Sequence, residues 1–347
     1  MPMCLKSSLM QRCFDLARLG AGRVSPNPMV GALLEYQGKI IGEGYHAYYG
    51  GPHAEVMTIA SVKTADRALI HAATLYVSLE PCNITGHTPP CTDLILREQI
   101  PRVVIAGRDK TPGVDGSGLA RLRAAGVQVE ENFMEEYGAH LNRPRNVFVC
   151  AHRPYVVLKY AQTQDHYFAP AAGQHWITHK LSRRLTHRWR AETDAILVGK
   201  RTAAIDNPAL SLRYARGKQP LRLVIDRHAS LPTELQLFDG AHETWVFTGQ
   251  ARADRPGIRY IPIDFTQPEW LDSILTYLYQ QQIGQLTVEG GAWLLQQFIS
   301  AGLWDEARVF VGKDSFLGAG ITAPRLPVAA DRQFDLLGDR LLVYRRQ

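Results

Sequence analysis

The hydrophobic positions of the first 150 residues alternate between two spacings along the chain. Residues 8–19 repeat apolar side chains every three to four positions, which is typical of an amphipathic helix. Residues 30–35 and 39–43 form short apolar runs on either side of a polar turn, which predicts a strand pair. The alternation continues and predicts helices at 53–59, 92–98, 118–125 and 133–145, and strands at 73–79, 102–106 and 127–130. This order of elements indicates a layered α/β domain.

A second series of alternating elements follows a short linker-like segment at residues 150–154. Its helices are predicted at 182–192, 269–282 and 293–301, and its strands at 155–161, 195–198, 222–225, 244–248, 286–289, 305–311 and 340–345. Because 347 residues exceed the usual size of one domain, we predict two domains, 1–149 and 150–347. The second contains no G-x-G-x-x-G, so a Rossmann-type dinucleotide site is not predicted.

Composition and charge narrow the class of protein. Hydrophobic residues make up 46% of the chain and charged residues 21%, which excludes a disordered or fibrous protein. No apolar run reaches the roughly 18 residues of a membrane span, and the N-terminal helix is unlike a secretory signal. Five scattered cysteines are too few for a disulfide scaffold. The net charge of +6 favours anionic partners, and we expect a cytoplasmic protein that binds small phosphorylated ligands.

The clearest chemistry lies in three short segments that contain His53, Cys82 and Cys91. Catalytic zinc takes about three protein ligands and leaves one position open for water, and one imidazole with two thiolates supplies such a set. Glu55 lies two residues after His53, where it can exchange a proton with that water without binding the metal. Taken singly, a His-x-Glu is usually the start of a surface helix and a buried cysteine usually packs in a core. Their joint order predicts a zinc-dependent base deaminase.

The motifs around these residues resemble the bifunctional deaminase/reductase family of riboflavin biosynthesis. The matching stretches are P-N-P-M-V-G at 26–31, G-P-H-A-E-V at 51–56 and L-E-P-C-N-I-T-G-H-T-P-P-C at 79–91. Most base deaminases place two residues between the cysteines, whereas this chain places eight. The resemblance implies a cytidine-deaminase-like domain with three α/β/α layers and one zinc ion. It also implies that Asn27 contacts the pyrimidine and that the loop at His87, where the family usually has Lys or Arg, approaches the ribose phosphate.

The resemblance also implies a substrate and two successive reactions. The substrate would be 2,5-diamino-6-(5-phosphoribosylamino)pyrimidin-4-one, which loses its 2-amino group as ammonia and becomes 5-amino-6-(5-phosphoribosylamino)uracil. Glu55 would take a proton from water and pass it to the departing amine. The second domain would then use NADPH to reduce the ribosyl group to ribityl.

Residues 155–347 taken alone are less informative. Glu289-Gly290-Gly291 lies between a predicted strand and a predicted helix, where backbone N–H groups can cradle a phosphate. A glycine turn that serves only the backbone geometry explains the same residues. Trp176 either stacks on a cofactor or fills the core, and the core is the default interpretation.

The family resemblance extends over this second domain and implies an α/β fold similar to dihydrofolate reductase, with NADPH as cofactor. Its motifs include L-K-Y-A at 158–161, W-I-T at 176–178 and D-N-P-A-L at 206–210. Carried over by position, it implies substrate contacts at Lys159, Gln174, Arg190, Leu210, Arg213 and Glu289, and cofactor contacts at Ala161, Trp176, Thr202, Asp206, Gly290 and Gly291. His166 departs from the family, because it replaces a glycine, which tolerates positive φ more readily.

Three functions from different classes stay open at this point. The first is the two-headed enzyme of riboflavin synthesis. The second is a deaminase with a non-catalytic, reductase-like binding module, which His166 keeps open. The third is a nucleic-acid base deaminase, which the wide cysteine spacing and the lack of a concentrated basic face oppose. We expect no nucleic-acid or membrane partner and, by analogy with the family, a homo-oligomer, either a dimer or a tetramer.

Overall fold

The structure is a computed structural model that describes residues 5–85, 89–171 and 175–346. It divides into two compact units, Met1–His152 and Arg153–Gln347. The boundary predicted after residue 149 therefore falls in the last turn of a helix, Arg143–Ala151. Across the described ranges, no helix is both long enough and apolar enough to cross a membrane.

The first unit is built on one mixed sheet. Its strands are β1 Gly31–Tyr36, β2 Lys39–Tyr45, β3 Thr74–Val77, β4 Arg102–Ile105 and β5 Gln128–Glu130. Among the described residues the sheet has five strands in the order β2-β1-β3-β4-β5. β1 runs antiparallel to β2 and β3, whereas β3, β4 and β5 are parallel. Gln37 and Gly38 join β1 to β2 with φ of 49° and 81°, as a two-residue type I′ hairpin requires.

Helices cover both faces of this sheet. They are α1 Leu5–Arg18, α2 Ala54–Ala60, α3 Cys91–Arg97, α4 Ser117–Ala124, α5 Glu135–Leu141 and α6 Arg143–Ala151, with a 3₁₀ segment at Thr64–Ala72. Neighbouring residues of a strand point to opposite faces, so Leu33 and Leu34 of β1 belong to different cores. Leu34 packs with α2, α3 and α4, and Leu33 packs with α1 and α5. The predicted three-layer α/β/α arrangement is confirmed.

The single helix predicted at residues 133–145 is wrong, because the segment forms two helices. α5 ends at Leu141 and α6 begins at Arg143. Pro144 has no N–H to donate, and its ring would clash with the carbonyl four residues earlier in a continuous helix. Asn142 lies at the break, and its Oδ1 accepts the N–H of Met29 at 3.0 Å. The break therefore anchors the segment that carries Asn27.

The second unit is built on a larger sheet. The strands of this unit are β6 Tyr155–Gln162, β7 Tyr167–Ala169, β8 Ala195–Gly199, β9 Leu221–Ile225, β10 Thr244–Thr248, β11 Ile258–Pro262, β12 Gln285–Gly290, β13 Glu306–Gly312, β14 Ile321–Thr322, β15 Arg332–Leu336 and β16 Asp339–Arg345. Over the described residues, nine of them form one sheet in the order β11-β10-β9-β8-β12-β6-β13-β16-β15. The pairs from β11 to β13 are parallel, and β16 and β15 add an antiparallel edge. β7 and β14 form a separate pair.

Helices again pack on both faces of this sheet. They are α7 Lys180–Glu192, α8 Lys200–Asp206, α9 Trp270–Gln280 and α10 Ala292–Ser300, with a 3₁₀ turn at Gln236–Phe238. Leu197 of β8 packs in the core that holds the apolar faces of α9 and α10. Its neighbour Ile196 packs on the opposite face, beside Ala203 of α8. The α/β class predicted for this unit is confirmed, whereas β7, α8, β11, β14 and β15 were not predicted.

Candidate active sites

Three metal-binding side chains meet at one point of the first unit. His53 is the N-cap of α2, Cys82 lies in the loop after β3, and Cys91 is the first residue of α3. His53 Nδ1 lies 3.3 Å from Cys91 Sγ and 3.4 Å from Cys82 Sγ. The ligand atoms of the three residues all lie within 4.8 Å of one another. The spacing suits one ion bound by three protein ligands.

The chemistry of these donors fits zinc. The hydrogen bonds that Cys82 receives from Cys91 and His53 lower the pKa of its thiol to about 4, against the opposing effect of burial. The backbone N–H of Cys91 also points at Cys82 Sγ, at 3.3 Å, because Cys91 begins a helix. A thiolate stabilised in this way is the form that binds metal. Two sulfurs and one imidazole form a soft donor set that is typical of zinc, with room for a water molecule as the fourth ligand.

Glu55 lies next to this group but is not part of it. It is the second residue of α2 and is only 3% exposed. Burial raises the pKa of its carboxyl group, and the nearby Cys82 raises it further. A carboxyl group with a raised pKa accepts a proton more readily than an ordinary carboxylate and can return it. Glu55 is therefore suited to proton transfer beside the metal-binding group.

A cavity of about 200 Å³ opens in front of these residues. Asn27, His46, His53, Glu55 and Cys82 are among its lining residues. Asn27 Nδ2 lies 3.3 Å from His46 Nε2, and His46 Nδ1 lies 2.9 Å from the carbonyl oxygen of Pro52. His46 Nδ1–H therefore donates to Pro52, and His46 Nε2 accepts from the Asn27 amide. This leaves Asn27 Oδ1 as an acceptor for a ligand.

His46 is a site residue that sequence reasoning missed. It follows β2 directly and lies seven residues before His53, in the segment G-E-G-Y-H. A histidine that closely precedes His-Ala-Glu was the available signal. Asp109, Thr111 and Arg145 also line the cavity, and Thr111 is hydrogen-bonded to both of the other side chains. The predicted contact at His87 lies outside the described residues.

The second unit contains a buried cluster of charged groups. Arg190 of α7 donates from Nε and Nη2 to the two carboxylate oxygens of Glu289 of β12, at 2.9 and 2.6 Å. The side chains are only 11% and 9% exposed. Burial alone would raise the pKa of Glu289, but Arg190 and Lys159 hold it at about 2. Burial lowers the pKa of Lys159. Its amino group also interacts electrostatically with Glu289 and Arg190.

Leu210 and Arg213 lie on a loop beside this cluster. Leu210 is buried and has a φ of 49°, which is uncommon for a residue other than glycine. Arg190 Nη1 donates to the carbonyl of Ser211 at 3.3 Å, which ties the loop to the buried ion pair. The Arg213 side chain is exposed. The structure thus brings together five of the predicted substrate residues, while Gln174 lies outside the described residues.

A cavity of about 540 Å³ lies in the same unit and contains part of the predicted cofactor set. Thr202, Asp206 and Gly291 line it. Gly290 has a φ of 127°, a conformation that favours glycine. A Cβ on Gly291 would lie 3.1 Å from Thr202 Oγ1, so the pair also allows α8 and α10 to approach closely. Both explanations of these glycines, backbone geometry and access to a ligand, therefore fit the structure.

Ala161 and Trp176 are not among the described residues that line this cavity. Ala161 lies in β6, opposite Phe310 of β13. Trp176 is 68% exposed, and the guanidinium of Arg183 lies 4.8 Å from the centre of its ring. The default expectation that Trp176 fills the core is therefore wrong, and its cofactor contact stays a prediction.

His166 lies in the turn between β6 and β7 with a φ of 63°. The backbone at this position therefore does adopt the conformation that glycine favours. Gln162 Nε2 lies 3.0 Å from His166 Nδ1, so the imidazole forms a hydrogen bond that a glycine could not form. His166 therefore takes the left-handed conformation in this turn with its ring hydrogen-bonded to Gln162.

Two family models match the chain. The model for the cytidine and deoxycytidylate deaminase zinc-binding region matches residues 3–107. The model for the RibD C-terminal domain matches residues 154–327. The two matches fall one in each compact unit.

Relatives and solved structures are similar along nearly the whole chain. The riboflavin biosynthesis protein RibD of Aquifex aeolicus is 35% identical over 98% of this chain and 98% of its own. The Escherichia coli protein of the same name is 33% identical over 87% of this chain and 86% of its own. A crystal structure from Thermotoga maritima, described as a diaminohydroxyphosphoribosylaminopyrimidine deaminase/5-amino-6-(5-phosphoribosylamino)uracil reductase, has a TM-score of 0.90 at 35% identity and covers 98% of both chains. Acinetobacter baumannii RibD has a TM-score of 0.86 at 30% identity, again over 98% of both.

Proposed function

The chain belongs to the RibD family of riboflavin biosynthesis proteins, and from that premise we propose that it is a bifunctional enzyme of riboflavin synthesis. The first unit deaminates 2,5-diamino-6-(5-phosphoribosylamino)pyrimidin-4-one. The second unit reduces the ribosyl group of the product to ribityl with NADPH. The observation that carries the proposal is the meeting of His53, Cys82 and Cys91, with ligand atoms within 4.8 Å of one another, beside the buried Glu55.

In the deaminase unit, His53, Cys82 and Cys91 would hold the zinc ion. When bound, zinc makes a water molecule easier to deprotonate. Glu55 would take a proton from that water and deliver it to the 2-amino group, so that the water oxygen bonds to C2 as the C2–N bond breaks and ammonia leaves. Asn27, held by His46, offers Oδ1 to the pyrimidine. Arg145 lines the same cavity and could donate a charge-assisted hydrogen bond to the phosphate of the substrate.

In the reductase unit, the charged cluster recognises the deaminated ribotide. When bound, NADPH supplies the hydride that reduces C1′ of the opened ribose. Lys159, Arg190 and Arg213 offer cations to the substrate, and Glu289 keeps Arg190 in place through two hydrogen bonds. Thr202, Asp206 and Gly291 line the cavity of about 540 Å³, which is large enough for part of a dinucleotide. The protein's contribution is to position the two reactants.

The test supplies the diaminopyrimidinone ribotide to zinc-loaded protein, with and without NADPH. We expect ammonia release in both reactions, and NADPH oxidation only when the ribotide is present. The matched control is Cys82→Ser, which should release no ammonia from the diaminopyrimidinone ribotide but should oxidise NADPH when given the deaminated ribotide. If the wild-type protein binds NADPH and releases ammonia but never oxidises NADPH, the second unit is a binding module instead.

We further propose that the protein works in the cytoplasm as a homo-oligomer, a dimer or tetramer, without nucleic acid. Cys13, Cys82, Cys91 and Cys150 are unpaired in the described part of the chain, which suits a reducing compartment. The edge strand β15 exposes Phe334, and the adjoining turn exposes Leu337, as an edge that pairs with another subunit would. Light scattering measures the oligomer, and a titration with RNA at several salt concentrations tests the absence of nucleic-acid binding.

A further inference from the structure

The loop that carries Arg213 is held in place by hydrogen bonds between its backbone and side chains outside the segment Ser211–Arg213. Three successive residues each give one backbone group to a side chain: Ser211 C=O to Arg190 Nη1 at 3.3 Å, Leu212 N–H to Gln219 Oε1 at 2.9 Å, and Arg213 N–H to His187 Nδ1 at 3.2 Å. Leu210, which precedes them, is buried and in the left-handed conformation. The side chain of Arg213 is exposed, but its backbone is fixed. At Arg213 itself, the hydrogen bond that fixes the backbone is the one to His187.

His187 is a buried imidazole that must be neutral to make this contact. It is 4% exposed, and its Nδ1 accepts a hydrogen bond, so the proton of the neutral ring is on Nε2. Burial, together with the charges of Arg190, Arg213 and Lys159, lowers the pKa of His187 to about 4. Glu289 of β12 acts in the opposite direction.

A neutral acceptor suits this place for an electrostatic reason. A carboxylate here would pair with the nearby guanidinium groups and reduce the positive charge available to an anionic substrate. A protonated imidazole would have no lone pair on Nδ1 and would add a repulsive charge. His187 instead fixes the backbone without adding a charge of either sign. Its ring also meets the ring of Tyr214 edge to face, with centres 5.0 Å apart, which holds the next residue of the loop.

We propose that His187 is a positioning residue of the reductase, which fixes the backbone of Arg213 so that its guanidinium is presented to the phosphate of the ribotide. The inference rests on the proposed function, because that function assigns Arg213 to the substrate. His187 itself touches neither the substrate nor the cofactor in this role. Its effect should therefore appear in substrate affinity and depend on Arg213.

The test measures KM and kcat for NADPH oxidation with the deaminated ribotide. His187→Leu removes the acceptor and should raise KM about 3- to 10-fold, as expected for one lost hydrogen bond, with kcat changed less than about twofold. His187→Asn places an oxygen near the position of Nδ1 and should restore KM. In an Arg213→Ala background, His187→Leu should have no further effect on KM. The control is His179→Leu, because His179 also accepts a backbone N–H on α7, at 3.4 Å, but far along the helix from the loop.

The outcomes separate the inference from the function on which it rests. If Arg213→Ala leaves KM unchanged, the substrate assignment is overturned, and the inference with it. If Arg213→Ala raises KM but His187→Leu does not, or if His179→Leu raises it equally, only the role of His187 is overturned. A spectroscopic readout works even if His187→Leu fails to fold: nitrogen NMR of histidine-labelled wild type should show an unprotonated Nδ1 and a protonated Nε2 from pH 8 down to about 5.5. A protonated Nδ1 at pH 7 would overturn the proposal.

Discussion

The buried pair of Arg190 and Glu289 allows one prediction to be worked out in magnitude. Holding the Glu289 carboxyl at a pKa of about 2, against an ordinary value of 4.5, corresponds to about 3 kcal/mol of stability at neutral pH. Glu289→Gln removes this charge and leaves Arg190 buried without its partner, which typically costs about 3–5 kcal/mol. We therefore expect the second unit to lose about 3–5 kcal/mol of unfolding free energy.

An exposed pair of the same geometry provides the control. Arg12 donates to the carboxylate of Glu43 at 2.9 and 2.6 Å, the same two distances as in the buried pair, but its side chain is 46% exposed and that of Glu43 is 37% exposed. Solvent screens such a pair, so Glu43→Gln should cost less than about 1 kcal/mol. The contrast between the two variants isolates burial, because the hydrogen bonds are alike.

The direction of the pH dependence also follows. The pKa of Glu289 is lower in the folded than in the unfolded protein, so its stabilisation is complete above about pH 4.5 and disappears as the pH falls towards 2. The difference between wild type and Glu289→Gln should shrink by roughly 2 kcal/mol between pH 6 and pH 3. Replacing both partners with methionine should recover part of the loss at neutral pH.

Native-state hydrogen exchange is the suitable assay, because a chain of two units need not unfold in one step. Amides of β12 report on the second unit and amides of β2 on the first. The reasoning is refuted if Glu289→Gln destabilises β12 no more than Glu43→Gln destabilises β2. It is also refuted if the loss at β12 does not depend on pH.

Three further predictions concern the two activities. Glu55→Gln should keep zinc, because Glu55 is outside the ligand group, but should slow ammonia release by roughly 10²-fold or more. Metal analysis and an ammonia assay check this prediction, and a variant that loses zinc would contradict it. Asp206→Ala should reduce NADPH oxidation while ammonia release persists, since Asp206 lines a cavity of the other unit, and equal losses in both assays would disprove this separation. His166→Gly removes the strain of a left-handed non-glycine residue, about 1 kcal/mol, but also removes the hydrogen bond to Gln162. The rate of NADPH oxidation should therefore stay unchanged or rise, and a fall of more than about threefold would count against this prediction.

The fold class was predictable because the buried faces of most elements leave a clear periodicity. Two of the elements that were missed, β15 and α8, leave none. In β15 nearly every residue is exposed, so Arg332–Leu336 shows no hydrophobic alternation. α8 is seven residues long and buries only Ala203. β15 is set by its pairing with β16, and α8 begins after Gly199 as its N-cap, neither of which is visible as periodicity in a short sequence window.

The candidate sites divide in the same way. His53 and Glu55 could be predicted because they are two residues apart and their chemistry is specific, and the zinc cofactor is confirmed by the family match to residues 3–107. His187 could not be predicted, because its contact is with Arg213, 26 residues away. His46 contacts Asn27, 19 residues away, and its place shortly before His-Ala-Glu was the one signal for it in the sequence. The roles of the individual residues stay predictions.

The position of β6 in its sheet has a consequence for synthesis on the ribosome. β6 is the first strand of the second unit to be made, yet its two neighbours, β12 and β13, end at Gly290 and Gly312. At the usual rate of translation, roughly ten to thirty seconds pass between the emergence of β6 and that of β13. During this interval both edges of an apolar strand lack their native partners and can pair with other chains. We therefore expect aggregation and chaperone binding to be greatest for nascent chains that are stalled before β12 has been made.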